Sequence, residues 1–132
     1  MSNSKDKQRI VIDVDGTLAQ LKRADQSYAD LEPMPAVLEK LREYRELGFY
    51  IIVQSSRNMR TYNNNLGLLQ ANTLPLLIDW LRKYDVPFDE VHVGKPWCGF
   101  DGFYVDDKAI RPDEFANLSY EEIRKLIGEG VG

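Results

Sequence analysis

The sequence predicts an α/β fold, a three-layer α/β/α sandwich around a mostly parallel sheet. Four short apolar runs, rich in β-branched and aromatic residues, have the length and composition of buried strands. Segments with helical periodicity separate the first three runs, and another follows the fourth. Strands that alternate with helices imply right-handed crossovers, which make the strands parallel and place helices on both faces of the sheet.

The predicted strands are residues 10–12, 49–53, 91–93 and 103–105. A first helix is predicted over residues 35–47, because Val37, Leu38, Leu41 and Tyr44 share one helical face, with Pro35 near the start and Gly48 just past the end. A second helix covers residues 74–84, with Thr73 or Asn72 as its cap. In the final helix, Ser119 and Glu122 form a capping-box pattern and Gly128 is the stop.

Two segments do not fit this alternation. Residues 16–32 predict a short loop or hairpin, and the polar residues 58–72 predict a long loop. Loops of that length inside a small domain are often functional. Both segments are therefore expected near a site.

Length and composition narrow the class of protein. A chain of 132 residues, with 43% hydrophobic and 29% charged residues, predicts one soluble globular domain over residues 1–132. The net charge of −4, without a basic face, argues against nucleic acid as a partner. No apolar run is long enough for a leader or a membrane span, which predicts a cytoplasmic protein without membrane contact. Cys98, the only cysteine, and His92, the only histidine, are expected to be structural.

Polar residues follow each predicted strand at the point where it ends. They are Asp13 and Asp15 after the first strand, Ser55 after the second, Lys95 after the third, and Asp106 and Asp107 after the fourth. The carboxyl ends of parallel strands share one edge of the sheet, where open α/β folds bind ligands. The sequence therefore predicts one pocket that holds several carboxylates, a hydroxyl and an ammonium group.

These groups fit metal-assisted phosphoryl transfer. Clustered carboxylates need a neutralising cation, and hard oxygen ligands suit Mg²⁺. Asp13 is the predicted nucleophile, since a carboxylate can attack phosphorus and form an aspartyl-phosphate. Asp15, two residues on, is the predicted general acid and base at the leaving-group oxygen. Asp106 is expected to hold the metal, and Asp107 is expected either to bind the metal directly or to contact its ligands.

The other candidates would bind the phosphate or the rest of the substrate. Lys95 offers a positive charge, and Ser55 can hydrogen-bond a phosphoryl oxygen, with Ser56 as its rival. Gly16 lets the backbone turn beside the phosphate. Thr17, Arg57 and Arg60 complete the predicted substrate-binding residues, although the arginines are equally consistent with solvated surface charge. The aromatic residues Tyr62, Trp97 and Phe100 fit a pocket floor or core packing equally well.

The motifs resemble those of the haloacid dehalogenase superfamily of phosphatases. The first motif, Asp-x-Asp-Gly-Thr, is complete at residues 13–17, and Ser55, Lys95 and the Asp106–Asp107 pair match the other three in order. The resemblance implies a Rossmann-like fold and a metal bound by the side chains of Asp13 and Asp106 and by the carbonyl of Asp15. The segment after the first motif is too short for a cap domain, so an open site is expected.

Residues 56–62 and 94–108 resemble small phosphatases of bacterial capsular polysaccharide biosynthesis. That group has His-Thr-Ala-Arg as its second motif, where residues 54–57 read Gln-Ser-Ser-Arg. The change from Thr to Ser keeps the hydroxyl, while the loss of the His bears on substrate preference. The resemblance implies a phosphorylated sugar or polyol as substrate and, because capless members often oligomerise, a homo-oligomer.

Three other functions are consistent with part of the pattern. A phosphoacceptor signalling domain also gathers Asp, Ser or Thr, and Lys at this edge, but its acidic pair follows the first strand and its phosphorylated Asp a later one. A non-catalytic binding protein with the same fold would lack a catalytic position, and none is missing here. A phosphatase for nucleic acid ends would need a basic surface.

Overall fold

The structure, a computed structural model, describes residues 8–128. These residues fall into two units, one within residues 1–97 and one within residues 98–132. The first unit contains a three-stranded parallel sheet in the order β1-β2-β3. Its strands are β1 (Arg9–Asp13), β2 (Tyr50–Ser55) and β3 (Glu90–Val93). The α/β class with parallel strands is thus confirmed, while the single-domain prediction over residues 1–132 stays a prediction.

The register of the sheet aligns the carboxyl ends of its strands. Asp13 pairs with Gln54, and Ser55 pairs with Val93. The middle strand is covered on one face, where Ile51 and Val53 have no exposed surface. All three strands therefore end at one edge, as the sequence analysis requires.

Not every predicted strand residue is buried. Val11 is 55% exposed although its neighbour Ile12 is buried. Successive side chains of a strand point to opposite faces, so β1 is covered mainly on the Ile12 face. The prediction that this strand is buried on both faces was wrong.

Helix α1 (Pro35–Glu46) forms where it was predicted. Pro35 stands at its start, where the missing N–H costs nothing, and the predicted face is buried. Gly48 follows the helix with φ +92°, a left-handed conformation that glycine adopts without a steric penalty. Tyr44 packs edge to face on Phe49, at a ring-centroid distance of 4.9 Å, where the chain enters β2.

The second helical region begins earlier than predicted. Helix α2 (Leu66–Leu68) continues through a π-helical turn (Leu69–Thr73) into α3 (Leu74–Lys83). The cap is Asn65, whose side chain accepts a hydrogen bond of 3.1 Å from the Leu68 N–H. Thr73 has helical φ and ψ, so it does not cap a helix. The long loop predicted over residues 58–72 is therefore helical from Leu66 onward.

One contact ties the segment before α1 to α3. The indole Nε1–H of the buried Trp80 donates a 2.8 Å hydrogen bond to the Leu31 carbonyl. The segment itself is the predicted loop, with a 3₁₀ turn (Tyr28–Asp30) and isolated bridges that join Ala19 to Asp15 and to Pro33. This loop is thereby held in place beside the sheet.

The second unit differs from the prediction in its first half. Residues 103–105 form no strand within the described chain, and Phe103 and Val105 are 79% and 88% exposed. A strand needs a hydrogen-bonded neighbour, and β propensity reflects packing on such a neighbour rather than a backbone preference. The predicted fourth strand was therefore wrong.

Two short helices end the described chain. Helix α4 (Pro112–Asn117) was not predicted, whereas α5 (Tyr120–Leu126) was. The Ser119 hydroxyl accepts a hydrogen bond from the Glu122 N–H, and the Glu122 carboxylate accepts one from the Ser119 N–H, which confirms the capping box. No helix between residues 8 and 128 is long and apolar enough to cross a membrane.

Candidate functional site

The centre of the candidate site is the end of β1. Asp13 lies there with 30% of its side chain exposed, and the Lys95 Nζ is 3.5 Å from its Oδ1 atom. The Thr17 hydroxyl donates a weak hydrogen bond of 3.4 Å to Asp13 Oδ2. The structure thus brings the predicted nucleophile, the predicted ammonium group and the threonine of the first motif into contact.

The backbone explains how Lys95 reaches Asp13. Gly94 follows β3 with φ +85°, and the next residue, Lys95, donates its backbone N–H to the Ser55 carbonyl at a distance of 3.1 Å. A side chain at position 94 would also meet Leu66, 3.0 Å from the site of its Cβ. The turn after β3 is therefore tied to the end of β2, which directs the chain toward β1.

The electrostatic environment of Asp13 has two opposing parts. Burial raises the pKa of the Asp13 carboxyl above its ordinary value, and the nearby Asp15 acts in the same direction. The ammonium group of Lys95 acts in the opposite direction but does not cancel the effect of burial. A cation near this carboxyl would favour the carboxylate that a nucleophile requires.

A tight turn follows the strand. The N–H of Gly16 donates to the Ala19 carbonyl at 2.8 Å, and the Thr17 and Ala19 N–H groups both donate to the Val14 carbonyl. Gly16 has φ +83°, which explains why the motif has a glycine there. The turn leaves Asp13 and Asp15 at the same edge of the sheet.

Asp15 forms a two-pronged ion pair with Arg57. The guanidinium Nη2 donates to Oδ1 at 2.8 Å, and Nε donates to Oδ2 at 3.2 Å. The Arg57 side chain is only 3% exposed and that of Asp15 is 23% exposed. Paired donors in this geometry fix the carboxylate plane as well as its charge. Arg57 therefore positions Asp15.

An aromatic ring completes the surroundings of this ion pair. The Arg57 guanidinium carbon lies 4.1 Å from the centre of the Tyr28 ring, within the range of a cation–π interaction. Burial raises the pKa of the Tyr28 phenol, as does the charge of Asp15, while Arg57 lowers it. Tyr28 lies in an irregular segment without a motif, so no sequence pattern marks it as a site residue.

The two serines after β2 are in different environments. Ser55 is 1% exposed, and its hydroxyl accepts a hydrogen bond of 3.0 Å from the Arg57 N–H. Ser56 is partly exposed, and Arg60 lies on the surface. The hydroxyl of Ser55 thus helps to fix the start of the loop that carries Arg57. Its predicted contact with a phosphoryl oxygen, and the substrate contacts of Ser56 and Arg60, stay predictions.

Asp106 and Asp107 lie in the second unit, and both are exposed. The Asp106 Oδ1 atom accepts a 2.8 Å hydrogen bond from the Lys108 N–H, which forms a local turn. Their predicted role in metal binding stays a prediction.

The donor set in the first unit is compatible with Mg²⁺. Among the residues 8–128, no group of three or more His, Cys, Asp or Glu side chains is arranged to hold a metal ion. Mg²⁺ is usually held by only one or two carboxylates and completes its octahedron with waters and substrate phosphates. The half-buried carboxylate of Asp13 is a donor of this kind.

Comparisons with known proteins include a solved structure that is similar over nearly the whole chain. A crystal structure of an MCSG target from Vibrio cholerae has 48% sequence identity and a TM-score of 0.88, and the match covers 94% of this chain and 99% of that one. No family model matches the chain. The replication factor C small subunit of Methanocaldococcus jannaschii is 26% identical over 98 residues, which are 70% of this chain and 5% of that protein.

Proposed function

We propose that this chain, which belongs to the same family as the Vibrio cholerae protein, is a magnesium-dependent phosphatase of the haloacid dehalogenase type. The observation that carries the proposal is the contact of 3.5 Å between Lys95 Nζ and Asp13 Oδ1, at the carboxyl edge of a parallel sheet. A carboxylate and an ammonium group at this edge can share one phosphate, the first as nucleophile and the second as counter-charge. The complete Asp-x-Asp-Gly-Thr motif at residues 13–17 supports the same assignment.

In the first step, an Asp13 carboxylate oxygen attacks the phosphorus of a phosphate monoester. The new bond makes Asp13 an aspartyl-phosphate while the bond from phosphorus to the leaving oxygen breaks. Asp15 donates a proton to that oxygen, so the alcohol leaves in neutral form. Lys95 offsets part of the negative charge on the phosphoryl oxygens.

In the second step, Asp15 takes a proton from water as the water oxygen attacks the phosphorus. The bond between phosphorus and the Asp13 oxygen breaks, which releases inorganic phosphate and restores both carboxyl groups. Each Asp15 oxygen accepts one hydrogen bond from Arg57 and keeps further lone-pair capacity. Arg57 can therefore hold Asp15 in place while Asp15 exchanges its proton.

Magnesium fits this scheme as the neutralising cation. Within the first unit, the side chain of Asp13 and the carbonyl of Asp15 would hold it; Asp106 and Asp107 are further ligands that the family resemblance implies. When bound, the ion supplies positive charge that stabilises the phosphoryl group in the transition state.

The wider setting of the proposal rests on the family resemblance. It comprises a three-layer sandwich without a cap domain, a cytoplasmic location, a homo-oligomer, and no nucleic acid or membrane partner. The proposed substrate is a small phosphorylated sugar or polyol in the biosynthesis of capsular or other surface polysaccharide. A phosphoacceptor domain and a non-catalytic binding protein are the alternatives.

Phosphate release tests the proposed function. The full chain, incubated with a panel of sugar, polyol and nucleotide phosphates, is expected to release phosphate with Mg²⁺ and to stop when EDTA is added. Turnover that persists in EDTA would contradict the magnesium requirement. A stable phosphoprotein without turnover would favour the phosphoacceptor alternative.

A further inference from the structure

A cavity beside the Asp15–Arg57 pair has no role in the two chemical steps. Its volume is about 580 Å³, within the range of small-molecule sites. The walls come from the loop before α1 and from α3. They include Lys22, Tyr28, Arg57, Leu76, Trp80 and Lys83. All of these residues belong to the first unit.

Arg57 connects the cavity to the proposed catalytic residue Asp15. This side chain lines the cavity and also donates two hydrogen bonds to Asp15. Because Asp15 is the proposed proton donor to the leaving oxygen, the cavity begins on the leaving-group side of the reaction. Tyr28, which stacks on Arg57, is a second link between the cavity wall and Asp15. An alcohol released past Asp15 would be next to this space.

The walls combine apolar surface with an excess of positive charge. Of the three cations that line the cavity, Arg57 is paired with Asp15, which leaves Lys22 and Lys83 against Asp79, the one acidic residue among the lining residues in the described chain. The ammonium group of Lys22 is 3.2 Å from the Gln26 carbonyl and 3.4 Å from the Arg23 carbonyl, contacts that hold it near the cavity. Lys83, in the last turn of α3, also lines the cavity. A negatively charged ligand would therefore be favoured over a neutral one.

The apolar part of the walls limits the kind of ligand further. Leu76, Ala29 and Tyr28 offer carbon surface, which a highly hydrated inorganic anion alone would not use. A carbohydrate ring or polyol chain presents C–H groups that can pack on such a surface. The cavity thus suits an organic anion with a carbon skeleton of sugar size.

We propose that this cavity binds the alcohol portion of the substrate, and that this portion is a sugar or polyol carrying a second anionic group, a carboxylate or a phosphate. Lys22 and Lys83 contact that second group, while Tyr28 and Leu76 contact the carbon skeleton. The inference rests on the proposed function for the position of the reacting phosphate. It goes further by assigning the substrate class and the residues that select it.

Two substrate pairs test this inference and separate the two sources of charge. Glucose 1-phosphate is compared with glucuronic acid 1-phosphate, which adds a carboxylate, and with glucose 1,6-bisphosphate, which adds a phosphate. Each is measured by phosphate release in wild type, Lys22→Ala, Lys83→Ala and the double variant. Lys125→Ala, which removes an exposed lysine of α5, is the matched control.

The wild type is expected to prefer at least one doubly anionic substrate. Each single lysine variant should raise KM for that substrate roughly threefold to fivefold, the usual strength of a solvent-exposed ion pair. The double variant should raise it about tenfold, while KM for glucose 1-phosphate stays within about twofold. The doubly anionic substrate whose KM rises in the lysine variants identifies the second anionic group, a carboxylate or a phosphate, that the cavity binds. Equal KM changes for all three substrates, or none, would overturn the inference.

A second variant fills the cavity without removing charge. Leu76 is 67% exposed, so Leu76→Trp can place its ring in the cavity without disturbing the core. Calorimetric titration with the same three compounds is expected to show weaker binding of all three in Leu76→Trp, and weaker binding of the doubly anionic compounds alone in the double lysine variant. If these variants weaken binding but the wild type releases no phosphate, the cavity would be a ligand site and the proposed phosphatase activity would be contradicted. Turnover with binding unchanged in both variants would contradict the cavity alone.

Discussion

Asp13→Asn is expected to lower the rate of phosphate release by on the order of 10⁴-fold or more, as removal of a nucleophile does in other enzymes. The amide keeps the shape of the side chain but is a poor nucleophile. Asp13 is 30% exposed at the end of β1, and the change affects its contacts with Lys95, Thr17 and the Val14 backbone. The melting temperature should therefore change little. The measurement is phosphate release with the best substrate of the panel, in the presence of Mg²⁺.

The control for this variant is Asp113→Asn, which makes the same chemical change at an exposed position of α4. Its activity should equal that of wild type. If Asp13→Asn retained more than about one-tenth of the wild-type rate, then Asp13 would not be the nucleophile.

Arg57→Met is expected to have the largest effect on stability among the site variants. The change leaves the Asp15 carboxylate without its partner in a largely buried position, and loss of one member of such a pair costs about 3 kcal/mol of unfolding free energy. It also removes the cation–π contact with Tyr28, while the methionine keeps much of the side-chain volume. Urea unfolding monitored by circular dichroism measures the difference. Activity should fall through kcat, because Arg57 positions the proposed proton donor.

Two further variants test whether the loss of stability in Arg57→Met comes from breaking the ion pair between Asp15 and Arg57. Arg45→Met breaks another arginine–aspartate pair, with Asp89, whose side chains are 32% and 29% exposed. That pair should contribute no more than about 1 kcal/mol. The double variant Asp15→Asn/Arg57→Met should be more stable than the sum of its single changes predicts, since no carboxylate is then left unpaired. A cost for Arg57→Met no greater than that for Arg45→Met would contradict the buried-pair interpretation.

The sequence was informative wherever a local signal fixed the backbone. Pro35 marks the start of α1 because it lacks the N–H that a first turn leaves unpaired, and Gly48 marks its end because it adopts a left-handed conformation. The Ser119–Glu122 pair marks the start of α5 because its side chains accept hydrogen bonds from N–H groups that the helix leaves unpaired. Short apolar runs located the three strands of the sheet. Because these strands are parallel, their carboxyl ends share one edge, where Asp13 and Lys95 meet.

The predictions that were wrong concern segments whose conformation depends on tertiary contacts. Residues 103–105 have the composition of a strand, but no described neighbour pairs with them. The polar residues before α3 suggested a loop, yet the cap at Asn65 starts a helix there. In the site, Arg57 was predicted to be either a substrate contact or a solvated surface charge, and the second alternative was wrong because the side chain is 3% exposed. Its burial against Asp15 and Tyr28 depends on a loop without periodicity, which no sequence pattern encodes.

Trapping of the covalent intermediate tests the central proposal most directly. Wild-type protein is mixed with the best substrate and Mg²⁺, quenched during turnover, and treated with borohydride, which reduces an aspartyl-phosphate to homoserine. Peptide mass spectrometry is then expected to find homoserine at position 13, and to find none when substrate is omitted. Homoserine at another aspartate, or unmodified Asp13 in protein that is turning over rapidly, would contradict the assignment of Asp13 as the group that carries the phosphoryl.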